Sequence, residues 1–318
     1  MPDPGTTATG PAVDLESGET IVAIGDGQTA VLERQAKMEV AGNEDGGWFD
    51  VDPGRLTVQY QGGDASERIA RVAPDPADSS KHALEFLLRA ANVRDADGTA
   101  VKGRVQMNAY ATESVRAKEV RLRARMYLSE GFTDLRRLPQ SFGWLTVSEW
   151  WNDAGWTGQA YPFRVSVNIV KPAALAGSRL YFGVRAETLN LATNKWDKTI
   201  WSQTNADVPV PVGRWVTLEY HFREGDANEG RFYMAMVPDG GERVVLFDHR
   251  GWTHHPGNPS PDGLTHLNPL KLYTSKALID YARNAGHPLQ VFWDDIGFRL
   301  CRERLEPATS PCRPETFR

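Results

Sequence analysis

Hydrophobic and polar residues alternate with a period of two along most of the chain, the pattern of strands with one buried face. Amphipathic helices are scarce. Turn sequences such as DPG, DADG, EGDANEG and PDGGE separate the alternating segments. We therefore predict an all-β protein. The predicted strands cover residues 56–60, 82–88, 103–110, 120–128, 144–151, 163–170, 179–187, 215–223, 230–237, 243–247 and 289–300.

Three segments depart from this pattern. Residues 267–281 begin as a strand and become a short helix, which we expect Gly286 to close as a C-cap. Residues 189–211 and 249–269 are predicted to be long loops that border a groove, because loops of that length are usually functional or disordered. Their tryptophans, Trp196, Trp201 and Trp252, argue against disorder.

The chain shows no internal repeat and no second compositional regime. We predict a Pro-, Gly-, Thr- and Ser-rich N-terminal tether over residues 1–20, followed by a single domain over residues 21–318. Many strands without helical partners favour two antiparallel sheets packed as a sandwich.

The composition excludes some classes of function. A net charge of -5 gives no basic footprint for nucleic acid. No apolar run is long enough for a transmembrane helix, so membrane insertion is not expected. Ten Trp are more than a core usually takes, and surplus Trp often marks surfaces that contact sugars or peptides.

The two cysteines, Cys301 and Cys312, lie close together near the C-terminal end. We predict that they form a disulfide that staples a polar tail to the last strand, which implies an oxidising compartment. No signal peptide is visible. We therefore expect a secreted, periplasmic or cell-surface protein on the strength of the cysteines and the tether.

The polar faces of the strands carry Arg, Asn, Gln, Glu, His and Tyr rather than the Lys, Glu and Thr of an ordinary solvated sheet. Such side chains suit hydrogen bonding and stacking to a sugar chain, so we interpret these faces as lining a glycan groove. The candidate substrate-binding residues are Gln106, Asn108, Trp151, Asn152, Arg164, Asn168, Arg185, Trp201, Trp252 and His254.

Five segments occur in the order HALEFLL, GRVQMNAY, GRWVTLEYHFREGDANEGRFYMAM, NPLKLYTS and LQVFWDDIGF over residues 80–300. This order resembles the concanavalin A-like jelly rolls of carbohydrate-active enzymes. The similarity is nearest to jelly-roll polysaccharide lyases that act on alginate, glucuronan and heparin. The matching pairs are Arg104 with Gln106, Gly213 with Trp215, Lys271 with Tyr273, and Asp294 with Asp295. The Lys-x-Gly-x-Tyr spacing of those lyases is not kept, because this chain has Lys-Leu-Tyr. The resemblance implies a jelly-roll β-sandwich with a concave substrate groove and a lyase activity.

Lytic cleavage of a uronic-acid glycan by β-elimination needs a neutralised carboxylate, a base and an acid. The groups that could neutralise the carboxylate are Arg104, Gln106, Asn168 and Arg185. Candidates for proton transfer are His221, Tyr233 and Tyr273, and Lys271 could lower the pKa of a tyrosine base.

Two other functions remain open from the sequence. An endo-acting glycoside hydrolase would need two carboxyl groups across the scissile bond, and Glu149, Glu187 and Glu219 lie on the polar faces. A non-catalytic glycan-binding protein would instead use the tryptophans as a stacking platform.

We expect a polysaccharide or oligosaccharide as the partner, no nucleic acid, and a monomer. No cofactor is required by this chemistry. Asp294 and Asp295 are candidates for a structural Ca²⁺, which prefers carboxylate and carbonyl oxygens.

Overall fold

The computed structural model describes residues 20–24, 29–36, 48–52, 56–109, 117–152, 161–173, 179–193 and 195–301, with the side chains of 20–57, 197 and 298–301 left out. The fold is nearly all β, with two antiparallel sheets, one of them curled, in a jelly-roll sandwich. The predicted fold class is confirmed.

The strands and helices follow one another in this order: β1 (Thr20–Ile24), β2 (Thr29–Ala36), β3 (Trp48–Asp52), β4 (Leu56–Tyr60), β5 (Arg68–Pro74), β6 (His82–Leu88), β7 (Val93–Arg94), β8 (Ala100–Ala109), β9 (Glu119–Leu128), α1 (Gly131–Arg137), β10 (Thr146–Asn152), β11 (Phe163–Val170), β12 (Tyr181–Asn190), β13 (Lys195–Pro209), β14 (Trp215–Arg223), β15 (Arg231–Pro238), β16 (Val244–Arg250), β17 (His266–Asn268), β18 (Lys271–Ser275), α2 (Lys276–Asn284) and β19 (Leu289–Cys301).

Among the described residues, one sheet has nine strands and the other has ten. The nine-stranded sheet runs β1-β2-β19-β9-β14-β15-β16, with β6 beside β19 and β5 beside β6. The ten-stranded sheet runs β13-β12-β11-β10-β18-β8-β4-β3, with β17 beside β10 and β7 beside β8. Neighbouring strands in each sheet are antiparallel.

The core lies between the two sheets and is built from the apolar faces that alternation predicts. Trp150 of β10 is fully buried, and its ring lies 5.1 Å from that of Tyr220 on β14 and 5.3 Å from that of Phe232 on β15. These contacts join the ten-stranded sheet to the nine-stranded sheet. The polar faces of both sheets therefore point away from the core, in opposite directions.

The structure differs from the sequence-based prediction in three places. Residues 189–211 are not a loop, because β13 forms a long edge strand there and pairs with β12. Both sides of this strand carry polar residues, so its sequence lacks the alternation of apolar and polar positions that would have predicted a strand. Helix α1 and several strands, including β5 and β7, were not predicted. By contrast, Gly286 adopts a φ of 100° just after α2, which confirms the predicted C-cap.

Several predictions concern residues that the structure does not describe. The tether lies in the first twenty residues, of which only Thr20 is described, and Cys312 and the side chain of Cys301 lie beyond the C-terminal limit. The single-domain extent, the disulfide and the export of the protein therefore stay predictions. Within the described part, no helix has both the length and the apolar character needed to cross a membrane.

Candidate functional site

The outward face of the ten-stranded sheet gathers most of the predicted site residues, and we call it the groove face. Directly paired residues on antiparallel strands point to the same side, so the register defines its rows. Lys271 pairs with Gln106, and Tyr273 pairs with Arg104. The predicted residues that share this face are Arg104, Gln106, Asn108, Glu149, Trp151, Arg164, Asn168, Arg185, Glu187, Lys271 and Tyr273.

A cavity of about 410 Å³ opens on the groove face. Four cationic side chains and one carboxylate line it, which makes it electropositive in a chain whose net charge is -5. The lining residues are Lys102, Trp144, Thr146, Arg164, Ser166, Asn168, Arg185, Glu187, Lys195, Trp196 and Tyr273. We call this space the cationic cavity.

A chain of ion pairs forms the floor beneath this cavity. Lys271 Nζ contacts Glu149 Oε2, and Arg164 Nη1 lies 3.2 Å from Glu149 Oε1. Arg164 Nη2 then donates to Glu187 Oε2 at 2.8 Å, and Arg185 Nη1 lies 3.4 Å from Glu187 Oε1. Each carboxylate is thus held by two cations, and Arg164 is shared between both carboxylates.

Burial and charge act in opposite directions on the Lys271–Glu149 pair. Burial opposes ionisation of Glu149, but Lys271 and Arg164 outweigh it and hold the pKa of this carboxyl below its ordinary value. Burial, helped by the charge of Arg104, lowers the pKa of Lys271 to about 8 although Glu149 opposes the shift. At neutral pH the pair is ionised, and the ammonium of Lys271 loses its proton more readily than an exposed lysine would.

Tyr273 lines the cavity among three cations. Its ring centroid lies 5.2 Å from Lys271 Nζ, 5.8 Å from Lys102 Nζ and 6.0 Å from the guanidinium carbon of Arg104. Arg104 Nε is buried with no hydrogen-bond partner among the residues that the structure describes. Burial lowers the pKa of Arg104. Unlike Arg164, Arg185 and Lys271, Arg104 forms no ion pair with a carboxylate among the described residues.

Two tryptophans border the cavity on different sides. Trp144 packs against Tyr273 with ring centroids 5.1 Å apart, and the guanidinium carbon of Arg164 lies 4.5 Å from the Trp196 ring centroid. Sequence reasoning gave Trp144 no role, and it placed Lys102 and Lys195 in no site. Lys102 alternates with Arg104 on one strand, so its face was readable, but only the sheet order shows which strands surround the cavity.

Gln106 and Asn108 are engaged in a buried network of amides. Gln106 Nε2 donates to Asn108 Oδ1 at 2.8 Å and to Gln59 Oε1 at 3.0 Å. Trp151 Nε1 donates to Asn268 Oδ1 at 2.9 Å, and Asn268 is also bonded to Asn108. Both predicted substrate-binding amides are at most 4% exposed, so this network stiffens the sheet beside the cavity.

The remaining catalytic candidates, two for proton transfer and one carboxylate for the hydrolase, lie on the other sheet. Glu219, His221 and Tyr233 project from the face of the nine-stranded sheet that points away from the core, which we call the outer face. His221 Nε2 lies 2.7 Å from Glu119 Oε1, and both side chains are almost completely buried. Alternation assigns these residues to a polar face, but the structure separates that face from the cationic cavity by the whole core.

Three predicted substrate-binding residues lie near the edge formed by β13 and β16. Trp201 stacks on His249 at 3.9 Å between ring centroids, and its Nε1 donates to the carbonyl oxygen of Trp252 at 2.7 Å. His254 contacts Trp252 edge-on at 5.2 Å. None of them lines the cationic cavity. Asn152 accepts a hydrogen bond from Thr265 N at 2.8 Å and so holds a loop.

Asp294 and Asp295 lie at a bulge in β19, where Asp295 has a φ of 46°. Arg125 Nη1 lies 3.6 Å from Asp294 Oδ2 and 3.8 Å from Asp295 Oδ2. A guanidinium between the carboxylates does not fit a Ca²⁺ site, which needs six to eight oxygen ligands. In the described part of the chain, no three or more His, Cys, Asp or Glu side chains form a possible metal site. The calcium prediction stays untested.

No protein-family model matches this chain, and no curated protein matches it. Among solved structures, the fold resembles that of the alginate lyase Aly36B, seen as a mutant bound to an alginate trisaccharide, with 11% identity, 82% of this chain and 98% of that chain covered, and a TM-score of 0.43.

It also resembles the PL-14 alginate lyase from Aplysia kurodai, with 9% identity, 71% of this chain and 86% of that chain covered, and a TM-score of 0.43. A third similar structure is the endo-β-1,4-glucuronan lyase from the fungus Trichoderma reesei, with 13% identity, coverage of 81% and 94%, and a TM-score of 0.40. At these values the likeness gives no basis for assigning residues or an activity.

Proposed function

We propose that this protein is a polysaccharide lyase that cleaves a uronic-acid-containing glycan by β-elimination in the cationic cavity. The observation that carries the proposal is the convergence of Arg104, Lys271 and Tyr273 beside a cavity in which cations outnumber carboxylates. The negative charges of a polyuronate chain complement this excess of cations and would attract the chain to the cavity.

The first requirement of the reaction is neutralisation of the uronate carboxylate, which makes the proton on C5 more acidic. Arg104 suits this role because its guanidinium is not tied up in an ion pair with Glu149 or Glu187, as Arg164 is. A planar guanidinium can donate two parallel hydrogen bonds to a carboxylate. We assign carboxylate binding to Arg104.

The second requirement is proton transfer. The C5–H bond breaks, its electrons form the C4–C5 double bond, the C4–O bond breaks, and the leaving oxygen takes a proton. Tyr273 lines the cavity and can move protons in both directions, as a base and then as an acid. The surrounding ammonium and guanidinium groups stabilise the negative charge that develops during this step.

The third element is the buried Lys271–Glu149 pair behind Tyr273. Glu149 keeps Lys271 charged and fixed next to the tyrosine ring, 5.2 Å from its centroid. We therefore assign Lys271 to electrostatic stabilisation and Glu149 to positioning. Glu187 has the corresponding role for Arg164 and Arg185 at the far side of the cavity.

A glycoside hydrolase is the second candidate, because Glu149 and Glu187 both converge on Arg164. One of the two would have to be a protonated general acid with a raised pKa. The pKa of Glu149 is instead lowered, and Glu187 is paired with two guanidinium groups. This arrangement favours the lyase over the hydrolase. A binding protein without catalysis is third.

The experiment that tests the proposal is incubation with a panel of acidic and neutral polysaccharides. Ultraviolet absorbance reports the unsaturated uronide that only elimination makes, and a reducing-end assay runs in parallel. We expect both signals on a polyuronate. Reducing ends without absorbance would overturn the lyase in favour of the hydrolase, and binding without either signal would favour the non-catalytic protein.

A further inference from the structure

A second, smaller cavity of about 150 Å³ opens on the groove face next to the cationic cavity. The two cavities share Asn168 and Arg185 in their linings. The remaining lining residues of the second cavity are Gly143, Val170, Pro172, Gly183, Val184, Ser202, Gln203 and Thr204. We call it the neutral cavity, because Arg185 is the one charged residue in this lining.

The register explains how the neutral cavity forms. Asn168, Gly183 and Thr204 occupy one row across β11, β12 and β13. Gly183 has no side chain, so the row is open between the amide of Asn168 and the hydroxyl of Thr204. A Cβ on Gly183 would lie 3.1 Å from Val170 Cγ1, which is tighter than ordinary packing. At Gly183 the neutral cavity is therefore lined by the backbone.

The next row contains Ser166, Arg185 and Ser202, and the row after it contains Arg164 and Glu187. Successive rows on one face of a strand are about 7 Å apart. The two cavities thus follow each other along β11 and β12, with Arg185 on the boundary.

The two linings differ in charge. The cationic cavity has Lys102, Arg164, Arg185 and Lys195 around it, whereas the neutral cavity offers hydroxyls, an amide and backbone. Arg185 is already engaged with Glu187, at 3.4 Å from Nη1 to Oε1. A carboxylate in the neutral cavity would therefore be desolvated with little compensation, while sugar hydroxyls would find matching donors and acceptors.

We propose that the neutral cavity is a subsite for an uncharged sugar adjacent to the uronate, so that the preferred substrate alternates uronic acid with neutral sugar. This inference rests on the proposed function, since it names the class of polymer on which the lyase acts. It goes beyond that function, because the proposed function alone would also allow a homopolymeric polyuronate, which needs only the cationic cavity.

The test compares two polymers that contain the same uronic acid, one a homopolyuronate and the other alternating uronate with a neutral hexose. We expect kcat/KM to be higher on the alternating polymer. The double substitution Ser202→Ala and Thr204→Val removes both hydroxyls and should lower kcat/KM on the alternating polymer by about tenfold, the effect of one or two hydrogen bonds. The loss of kcat/KM on the homopolymer should be smaller, because its uronates depend less on these hydroxyls.

The matched control is Thr217→Val on β14, which replaces a threonine by valine on the outer face, away from both cavities. Equal kcat/KM on both polymers, or equal losses on both in the double variant, would overturn the neutral subsite and leave the lyase standing. Failure to release unsaturated product from either polymer would overturn both the subsite and the proposed function.

Discussion

The groove face and the outer face use the same residue types, and on both faces one arginine is shared between carboxylates, but the groove face borders the cationic cavity. On the outer face, ion pairs join His221 with Glu119, Arg243 with Glu219, and Arg231 with Asp248, and Arg125 contacts Asp239, Asp294 and Asp295. On the groove face five charged side chains join into one continuous chain beneath a cavity, and further cations stand above it. Residue type alone therefore does not distinguish a site from a sheet surface. The excess of cations around the cavity on the groove face is the distinguishing feature.

The largest expected difference between the faces is catalytic. Tyr273→Phe removes the proton-transfer hydroxyl at the cationic cavity, and we expect kcat on a cleavable polyuronate to fall by about 10²–10⁴-fold. Tyr233→Phe makes the same change on the outer face and should leave kcat near that of the unmodified protein. Initial rates of ultraviolet absorbance measure both.

An equal loss in the two tyrosine variants would remove the distinction between the faces. A larger loss in Tyr233→Phe would move the site to the nine-stranded sheet and return His221 to consideration as its base. Thermal unfolding of both variants checks that each is folded, because Tyr233 is 6% exposed and its ring belongs to a small packed cluster with Ala235.

The second difference concerns stability. Glu149→Gln leaves the Lys271 ammonium buried without its counter-charge, and we expect the free energy of unfolding to fall by about 3–5 kcal/mol. Glu219→Gln on the outer face should cost about 1 kcal/mol or less, because Arg243 is 36% exposed and can be solvated. Denaturant titration measures both free energies.

The pH dependence of Glu149→Gln sharpens this result. The folded-state pKa of Glu149 lies below its ordinary value of 4.5, so its ionised form stabilises the fold above that pH. This stabilisation is lost as the pH falls through the folded-state pKa. The difference between the unmodified protein and Glu149→Gln should therefore shrink at acid pH, and a constant difference would contradict the assigned pairing.

The smallest effect is expected at an exposed pair on the outer face. Arg231 donates two hydrogen bonds to Asp248, at 2.7 and 3.0 Å, but the carboxylate side chain is 41% exposed. Asp248→Asn should lower the free energy of unfolding by at most about 1 kcal/mol, and the loss should diminish as salt is added. A loss as large as that of Glu149→Gln would mean that both faces depend equally on their ion pairs.

Much of the fold could be predicted because alternation is a local signal. The bounds of β11 and β14 follow from their apolar rows, which pack into the core as expected. β13 could not be found in this way, because an edge strand with polar residues on both sides has no buried face to mark it. Its Trp196 lines the cationic cavity, and its Ser202 and Thr204 line the neutral cavity.

The site was only half predictable for a related reason. Alternation shows on which side of a strand a residue lies, but it does not show to which sheet the strand belongs. His221 and Tyr273 therefore looked equivalent in the sequence, although β14 and β18 lie in different sheets. The pairing of Lys271 with Glu149 joins residues far apart in the chain, so no spacing rule indicates it.

The last described strand, β19, has a consequence for how the chain folds. It lies inside the nine-stranded sheet and pairs with β9 on one side and with β2 and β6 on the other. Strand β2 thus pairs with a segment that is synthesised much later in the chain. Pairings of such long sequence separation form slowly, because a large loop must close first. This sheet is therefore completed only after β19 has been synthesised, and until then the edges of β6 and β9 that β19 covers stay open to chaperones or to aggregation.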